Sequence, residues 1–165
     1  MKLFIFCFIW LSAQDILQTP CVSSDGQWFL FSSAGDIWRA STAGGNAIRL
    51  SSHEGFDYNP RLSHDDQKIL FNTDRFGNED VMIMNLNGDS LTRLTYYSGK
   101  DKAIGFSIDN QWAYFLSERN LRFHPLPEMY RVDLLGRTPE KIEPIFAVDA
   151  SIASDGSLFY VNGYD

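Results

Sequence analysis

A short polar motif recurs four times along this 165-residue chain and restricts the fold more than any other feature. The copies are Ser24-Asp25-Gly26, His64-Asp65-Asp66, Ile108-Asp109-Asn110 and Ser154-Asp155-Gly156. Each copy precedes an apolar run, and successive aspartates are 40, 44 and 46 residues apart. A repeat of this length with strand-like content is typical of a β-propeller, in which each repeat forms one four-stranded blade. The sequence therefore predicts an all-β propeller of four-stranded meander blades.

Strand and turn patterns divide the chain into about three and a half blades. The expected bounds are about 17–52, 59–96, 103–145 and 149–165, the last being a partial blade. Runs such as Gln27–Ser32 are apolar on both faces, which suits a strand enclosed between neighbouring sheets. A partial last blade would leave a strand edge unpaired, so we expect a truncated propeller, the N-terminal part of a longer polypeptide.

Residues 1–14 form a segment distinct from the repeats. Lys2 precedes the apolar run Leu3–Leu11, and the short exit Ser12–Gln14 follows, a pattern typical of a secretory signal peptide. The alternative is a transmembrane anchor, which needs roughly 20 apolar residues. We therefore expect cleavage near Ala13 or Gln14. The mature protein would be periplasmic or secreted and would have no membrane association.

The charge and cysteine content exclude several classes of function. The formal net charge is −7 at pH 7, and Lys and Arg form no cluster, so nucleic acids and anionic membranes are poor partners. Cys7 falls within the expected signal peptide. Cys21 is then alone, which argues against a disulfide framework or a cysteine-based metal site.

The sequence assigns no catalytic, cofactor-binding or metal-binding residue. His53-Glu54 begins like a zincin helix, but no second His follows. Gly105–Asp109 lacks the closing Gly of a nucleophile elbow. The Asn and Asp side chains of 74–80 and 85–89 could bind calcium. Their spacing matches no calcium loop, and these residue types also suit turns.

The repeats resemble those of TolB and of tricorn-type peptidases. Blade 2 carries Asn59–Ser63, Asp65–Lys68 and Asp80–Met84. These segments are similar to the family's inner-strand Pro-x-Trp-Ser, its Pro-Asp-Gly-Lys turn and its Asp-Ile-Tyr-Val strand. Two further segments, Arg49–Pro60 and Arg119–Tyr130, are more specifically similar to the tricorn type.

The main departures from that pattern lie in the turns. Asp66 and Asn110 replace the usual Gly of blades 2 and 3. Both residue types tolerate a left-handed backbone, so we expect the turns to survive.

The resemblance implies a protease whose N-terminal propeller gates or docks substrate, with hydrolysis in a downstream serine peptidase domain. No catalytic residue is carried over onto this chain. Two alternatives remain open, a TolB-like periplasmic protein-binding scaffold and the propeller of a prolyl-oligopeptidase-type enzyme. The implied partners are a peptide or protein substrate and the downstream domains of the same polypeptide.

Loop length indicates which face of the propeller interacts with partners. In a meander blade, the second-to-third turns and the connections between blades share one face. Here these segments are mostly longer than the turns of the opposite face, and long loops often carry function. The candidate interaction residues on this face are His53, Phe56, Asp57, Tyr58, Arg75, Phe76, Tyr97, Arg122, Phe123 and His124.

Overall fold

Four antiparallel sheets follow one another in chain order. The computed structural model describes residues 17–120 and 126–162, and every regular element within them is a strand. Three sheets have four strands each in simple meander order, and the last has two. This architecture confirms the predicted propeller. The expected signal peptide at 1–14 lies outside the described residues. Across the described ranges, no helix is long and apolar enough to cross a membrane.

The strands have the following bounds. Blade 1 contains β1 (Gln18–Val22), β2 (Trp28–Ser33), β3 (Asp36–Ser41) and β4 (Ile48–Arg49). Blade 2 contains β5 (Asp57–Leu62), β6 (Lys68–Thr73), β7 (Asp80–Asn85) and β8 (Thr92–Arg93). Blade 3 contains β9 (Asp101–Phe106), β10 (Trp112–Ser117), β11 (Glu128–Asp133) and β12 (Glu140–Phe146). The terminal sheet contains β13 (Asp149–Ile152) and β14 (Leu158–Val161).

The apolar core lies between the blades, because the middle strands are apolar on both faces. Leu30 of β2 packs with Ile69 and Phe71 of β6 in one cluster between blades 1 and 2. Leu70, on the opposite face of β6, packs with Phe115 of β10 in the next cluster. Each interior strand therefore contributes alternate side chains to two cores, which holds consecutive blades together.

The repeated polar turns connect the first and second strands of each blade. In blade 2, the Ser63 hydroxyl donates to Asp65 Oδ1 at 2.6 Å, and the Lys68 amide donates to the Ser63 hydroxyl oxygen at 2.9 Å. The residues that replace the consensus Gly are left-handed as expected, with φ of 56° at Asp66 and 55° at Asn110.

The fourth strands differ most from the sequence expectation. The apolar patterns predict strands over Ala47–Leu50 and Leu91–Thr95, but β4 and β8 have two residues each. Conversely, the sequence marks the fourth strand of blade 3 only around Lys141-Ile142, whereas β12 has seven residues. These are outer strands, which bury little surface, so hydrophobic periodicity specifies their ends weakly.

Candidate functional site

The long-loop face is the end of the propeller formed by residues 50–56, 74–79, 94–100, 118–120 and 126–127. The structure places His53, Phe56, Arg75, Phe76 and Tyr97 in these loops. Asp57 and Tyr58 are instead the first two residues of β5. Two connections on the same face are short, namely Ala34-Gly35 and Ala147-Val148. The face is thus uneven and is most developed over blade 2.

Buried ion pairs anchor the inner strands at this face. Asp57 is completely buried, and its carboxylate accepts hydrogen bonds from Thr73 Oγ1 at 2.7 Å and Arg75 Nε at 3.0 Å. Blade 3 repeats the arrangement, since Arg119 Nη2 lies 3.0 Å from the buried Asp101 carboxylate. Asp57 and Arg75 are therefore bound to each other beneath the loops, and Asp57 is not exposed to a partner.

A second series of pairs joins the third strand of each blade to its fourth. Asp36 pairs with Arg49 at 2.6 Å, Asp80 with Arg93 at 2.8 Å, and Glu128 with Lys141 at 2.9 Å. In each pair the acid is the first residue of the third strand and the base lies 13 residues later. These pairs fix the outer ends of the loops on the long-loop face.

Among the acids of both series of pairs, burial has the largest effect on the pKa of Asp101 and Asp80. Desolvation raises the pKa of Asp101, although the bond from Ser117 and the charge of Arg119 oppose it. Desolvation likewise raises the pKa of Asp80 against the opposing charge of Arg93. The arginines thus offset a burial cost, which is a structural role.

Two exposed aromatic rings enclose Arg93. Its guanidinium carbon lies 4.0 Å from the Phe76 ring centroid and 4.5 Å from that of Tyr96. The side chains of Phe76 and Tyr96 remain 48% and 67% exposed. The result is an exposed aromatic surface that packs on the Asp80–Arg93 pair. Tyr97 makes a similar contact with Arg119, whose guanidinium carbon lies 5.4 Å from the Tyr97 ring centroid.

A cavity of about 410 Å³ opens between blades 1 and 2, beside Phe56. Its lining includes Gln18 and Gly35 from blade 1 and Phe56, Tyr58 and Asp74 from blade 2. A Cβ at Gly35, whose φ is +85°, would lie 3.2 Å from the Phe56 ring. The ring therefore lies directly against the blade 1 backbone, while 60% of Phe56 is exposed.

The loops around the cavity are joined by reciprocal hydrogen bonds. The Phe56 amide donates to Asp74 Oδ1 at 2.7 Å, and the Asp74 amide donates to the Phe56 carbonyl at 3.2 Å. A Cβ at Gly55 would lie 2.8 Å from Asp74 Oδ1, so the close approach requires glycine there. Asp74 is thereby held in place at the cavity wall.

Tyr58 contributes a protonated hydroxyl beside the cavity. Burial raises its pKa far above the usual value, and the charge and hydrogen bond of Glu79 raise it further. Burial also raises the pKa of Glu79, while the Tyr58 bond and the charges of Lys100 and Lys102 lower it. The Tyr58–Glu79 hydrogen bond therefore links β5 to the loop before β7.

The remaining predicted residues are less informative. His53 is exposed, and its Nδ1 accepts a hydrogen bond from the Gly55 amide at 2.9 Å. Arg122, Phe123 and His124 lie outside the described residues. Over the part of the chain that the structure does describe, no group of three His, Cys, Asp or Glu side chains is arranged to hold a metal ion.

Sequence reasoning missed the arginines that organise this face. Arg93 and Arg119 were not among the candidates, and neither were their acids Asp80 and Asp101. The signal was present in the repeat, because Asp57 and Arg75 have the same 18-residue spacing as Asp101 and Arg119. A charge pair that recurs at constant spacing in successive repeats indicates contact within the repeat.

Comparisons with known proteins agree with this architecture. Residues 14–165 match the family model described as the tricorn protease N-terminal beta propeller domain. A search of curated proteins found no match.

Several solved structures share the fold. TolB from Acinetobacter baumannii superposes with a TM-score of 0.75 at 22% identity, covering 94% of this chain and 40% of that one. The tricorn protease gives 0.73 at 23% identity, covering 87% and 15%. A chain of a nidogen/laminin complex gives 0.69 at 11% identity, covering 90% and 57%. The present chain thus spans well under half of the TolB and tricorn chains.

Proposed function

The chain belongs to the family of tricorn protease N-terminal β-propeller domains, and we propose that its long-loop face docks peptide or protein substrates. In this proposal the propeller controls the access of substrates to an active site. That site lies in a serine peptidase domain elsewhere in the full-length polypeptide, which performs the hydrolysis. The partners are the substrate and the downstream domains of the same polypeptide.

The observation that carries the proposal is the exposed aromatic surface over blade 2. Phe56, Phe76 and Tyr96 are between 48% and 67% exposed, and all three lie in the long-loop segments. Exposed aromatic side chains on a fixed support are typical anchors of protein interfaces. Because Arg93 already orders two of the rings, less conformational entropy is lost when a partner binds.

The test uses the full-length protein and a double variant, Phe76→Ala with Tyr96→Ala. We expect kcat/KM for a long unfolded substrate such as casein to fall about tenfold, as for the loss of a binding anchor. Turnover of a short chromogenic peptide should be unchanged, because the peptidase site itself is intact. Leu135→Ala is the matched control, since Leu135 is 75% exposed in a turn of the opposite face.

The same assay distinguishes the alternatives. Equal losses for long and short substrates, or no loss for either, would contradict docking at this face. Specific capture of a protein by a full-length polypeptide without peptidase activity would favour the TolB-like scaffold. Cleavage restricted to short peptides would favour the prolyl-oligopeptidase-type enzyme.

Export is a separate part of the proposal and rests on residues 1–14. The charged Lys2, the apolar run Leu3–Leu11 and the small-residue exit support it. N-terminal sequencing of the protein purified from its native host should give a mature chain that begins just after Ala13 or Gln14. An intact Met1 in a cytoplasmic fraction would contradict export.

A further inference from the structure

We propose that the cavity between blades 1 and 2 binds a positively charged side chain, lysine or arginine, of the docked peptide. This inference rests on the proposed docking function and specifies the substrate chemistry at one subsite. The binding groups are the Asp74 carboxylate and the Phe56 ring, with Tyr58 on the same wall.

Asp74 supplies the negative charge. Its Oδ1 is fixed by the Phe56 amide at 2.7 Å, which leaves Oδ2 available to a ligand. Within residues 17–120 and 126–162, no lysine or arginine forms an ion pair with Asp74. The adjacent Arg75 is bound to the buried Asp57 instead.

The other acids near the cavity are already neutralised or engaged. Asp57 forms an ion pair with Arg75. Glu79 accepts from the Tyr58 hydroxyl and lies near Lys100 and Lys102. The cavity itself therefore presents one uncompensated carboxylate, which favours a cationic ligand over an anionic one.

Phe56 supplies the second recognition element. Its ring lies against Gly35 on one side and is 60% exposed. A cation placed over an aromatic face gains about 0.5–1 kcal/mol at exposed sites, and a planar guanidinium also stacks there. A carboxylate and a ring on one wall together match the side chain of arginine best.

The neighbouring loops contain an internal precedent for this arrangement. Arg93 contacts the Phe76 and Tyr96 rings at 4.0 and 4.5 Å and pairs with Asp80 at 2.8 Å. The same three components, a guanidinium, an aromatic face and a carboxylate, thus already form a stable unit on this face. The cavity offers the aromatic face and the carboxylate to a guanidinium from outside.

The experiment measures binding of two acetylated, amidated pentapeptides to the full-length protein by calorimetry. Both contain four alanines, and the central residue is arginine in one and the neutral isostere citrulline in the other. We expect the arginine peptide to bind about fivefold tighter, the ratio that one exposed charge-assisted contact gives. A peptide with central glutamate should bind more weakly than both.

Three variants locate the effect. Asp74→Asn keeps an acceptor for the Phe56 amide but removes the charge, so the arginine preference should disappear. Phe56→Leu keeps an apolar side chain but removes the π face, so affinity for the arginine peptide should fall. Glu54→Gln is the control, because it removes one charge from the same loop, outside the cavity lining. It should leave the preference intact.

The outcomes separate this inference from the docking function. Equal binding of the arginine and citrulline peptides, or a preference that survives Asp74→Asn, would overturn the cationic subsite and leave docking untouched. Failure of every pentapeptide to bind the unaltered protein would also overturn the subsite. Docking would then be decided by casein turnover in the Phe76 and Tyr96 double variant alone.

Discussion

At the scale of single residues, the two replacements of the consensus turn glycine connect neighbouring blades. Asp66 Oδ2 of blade 2 accepts from the Ser24 amide at 2.9 Å and from the Ser24 hydroxyl at 2.6 Å in blade 1. Asn110 Oδ1 of blade 3 accepts from the His64 amide of blade 2 at 2.9 Å. At the fourth turn, Gly156 has no side chain and lies against Ile108.

Asp66→Ala should destabilise the protein by about 1–3 kcal/mol. It removes two hydrogen bonds to a carboxylate and places an alanine at a φ of 56°, which favours Gly, Asn or Asp. Urea unfolding followed by tryptophan fluorescence measures the loss. Asp66→Asn is the control and should cost less, since it keeps an acceptor and tolerates the same φ. An equal cost for both variants would mean that the bond between the turns contributes little.

The turn aspartates should make stability depend on pH in the acidic range. The hydrogen bond from the Ser63 hydroxyl holds the pKa of Asp65 below its usual value. A lowered folded-state pKa stabilises the protein above the unfolded-state pKa, about 3.9, and this stabilisation is lost as pH falls through the folded value. The stability difference between the native protein and Asp65→Asn should therefore be largest at neutral pH and shrink below about pH 4. A difference that is constant from pH 7 to pH 2.5 would contradict this.

Single residues also show where sequence reasoning was limited. The left-handed backbone at Asp66 and Asn110 could be predicted from residue type alone, because turn geometry is a local property. Asp57 was expected in a loop in contact with a partner, but it is the buried first residue of β5. The recurring 18-residue spacing indicates its partner Arg75, but its burial and its bond to Thr73 depend on how β5 packs against β6, which residue type alone does not show.

At the scale of elements, buried polar side chains join one blade to the next. Asn72 of β6 is completely buried and accepts from the Ala103 amide at 3.1 Å, while its Nδ2 donates to the Asp101 carbonyl at 2.8 Å. Asn59 of β5 donates to Asn72 Oδ1 and to the Ala103 carbonyl. These bonds position β9 against blade 2 and so fix the angle between successive blades.

Asn72→Ala should therefore cost about 3–5 kcal/mol, because it leaves a buried amide and a buried carbonyl without partners. The free energy of unfolding in urea is the measurement. Asn87→Ala is the matched control and should cost below about 1 kcal/mol, since Asn87 lies in an exposed turn where its bond to Asp89 is solvated. Similar costs for the two variants would show that the inter-blade bonds carry little of the stability.

The elements that the sequence predicted well are the middle strands. β6 and β10 begin at Lys68 and Trp112, directly after the repeated polar turns, and β7 begins at Asp80, the first residue of the predicted strand Asp80–Met84. All three strands are apolar on both faces. The outer strands were predicted poorly, since few of their side chains enter a core.

Loop length predicted the candidate site only as one face of the propeller. Its cavity and arginine pairs arise from contacts between loops and could not be predicted from hydrophobic pattern.

At the scale of the whole molecule, the stacking of blades leaves apolar side chains exposed on the terminal sheet. Phe159 and Val161 of β14 are 62% and 58% exposed. They alternate with Leu158, which packs toward blade 3, so they face away from it. An exposed apolar strand face of this kind promotes association in solution.

We therefore expect residues 15–165, expressed alone, to self-associate through the terminal sheet. The double variant Phe159→Ser with Val161→Thr should shift sedimentation toward monomer, because both substitutions make that face polar while Leu158 stays in the core. Leu135→Ser removes an even more exposed apolar side chain from a turn and should leave self-association unchanged. If the unaltered chain sediments as a monomer at micromolar concentration, the terminal sheet does not drive association. If both variants reduce association equally, general surface hydrophobicity is responsible rather than this strand face.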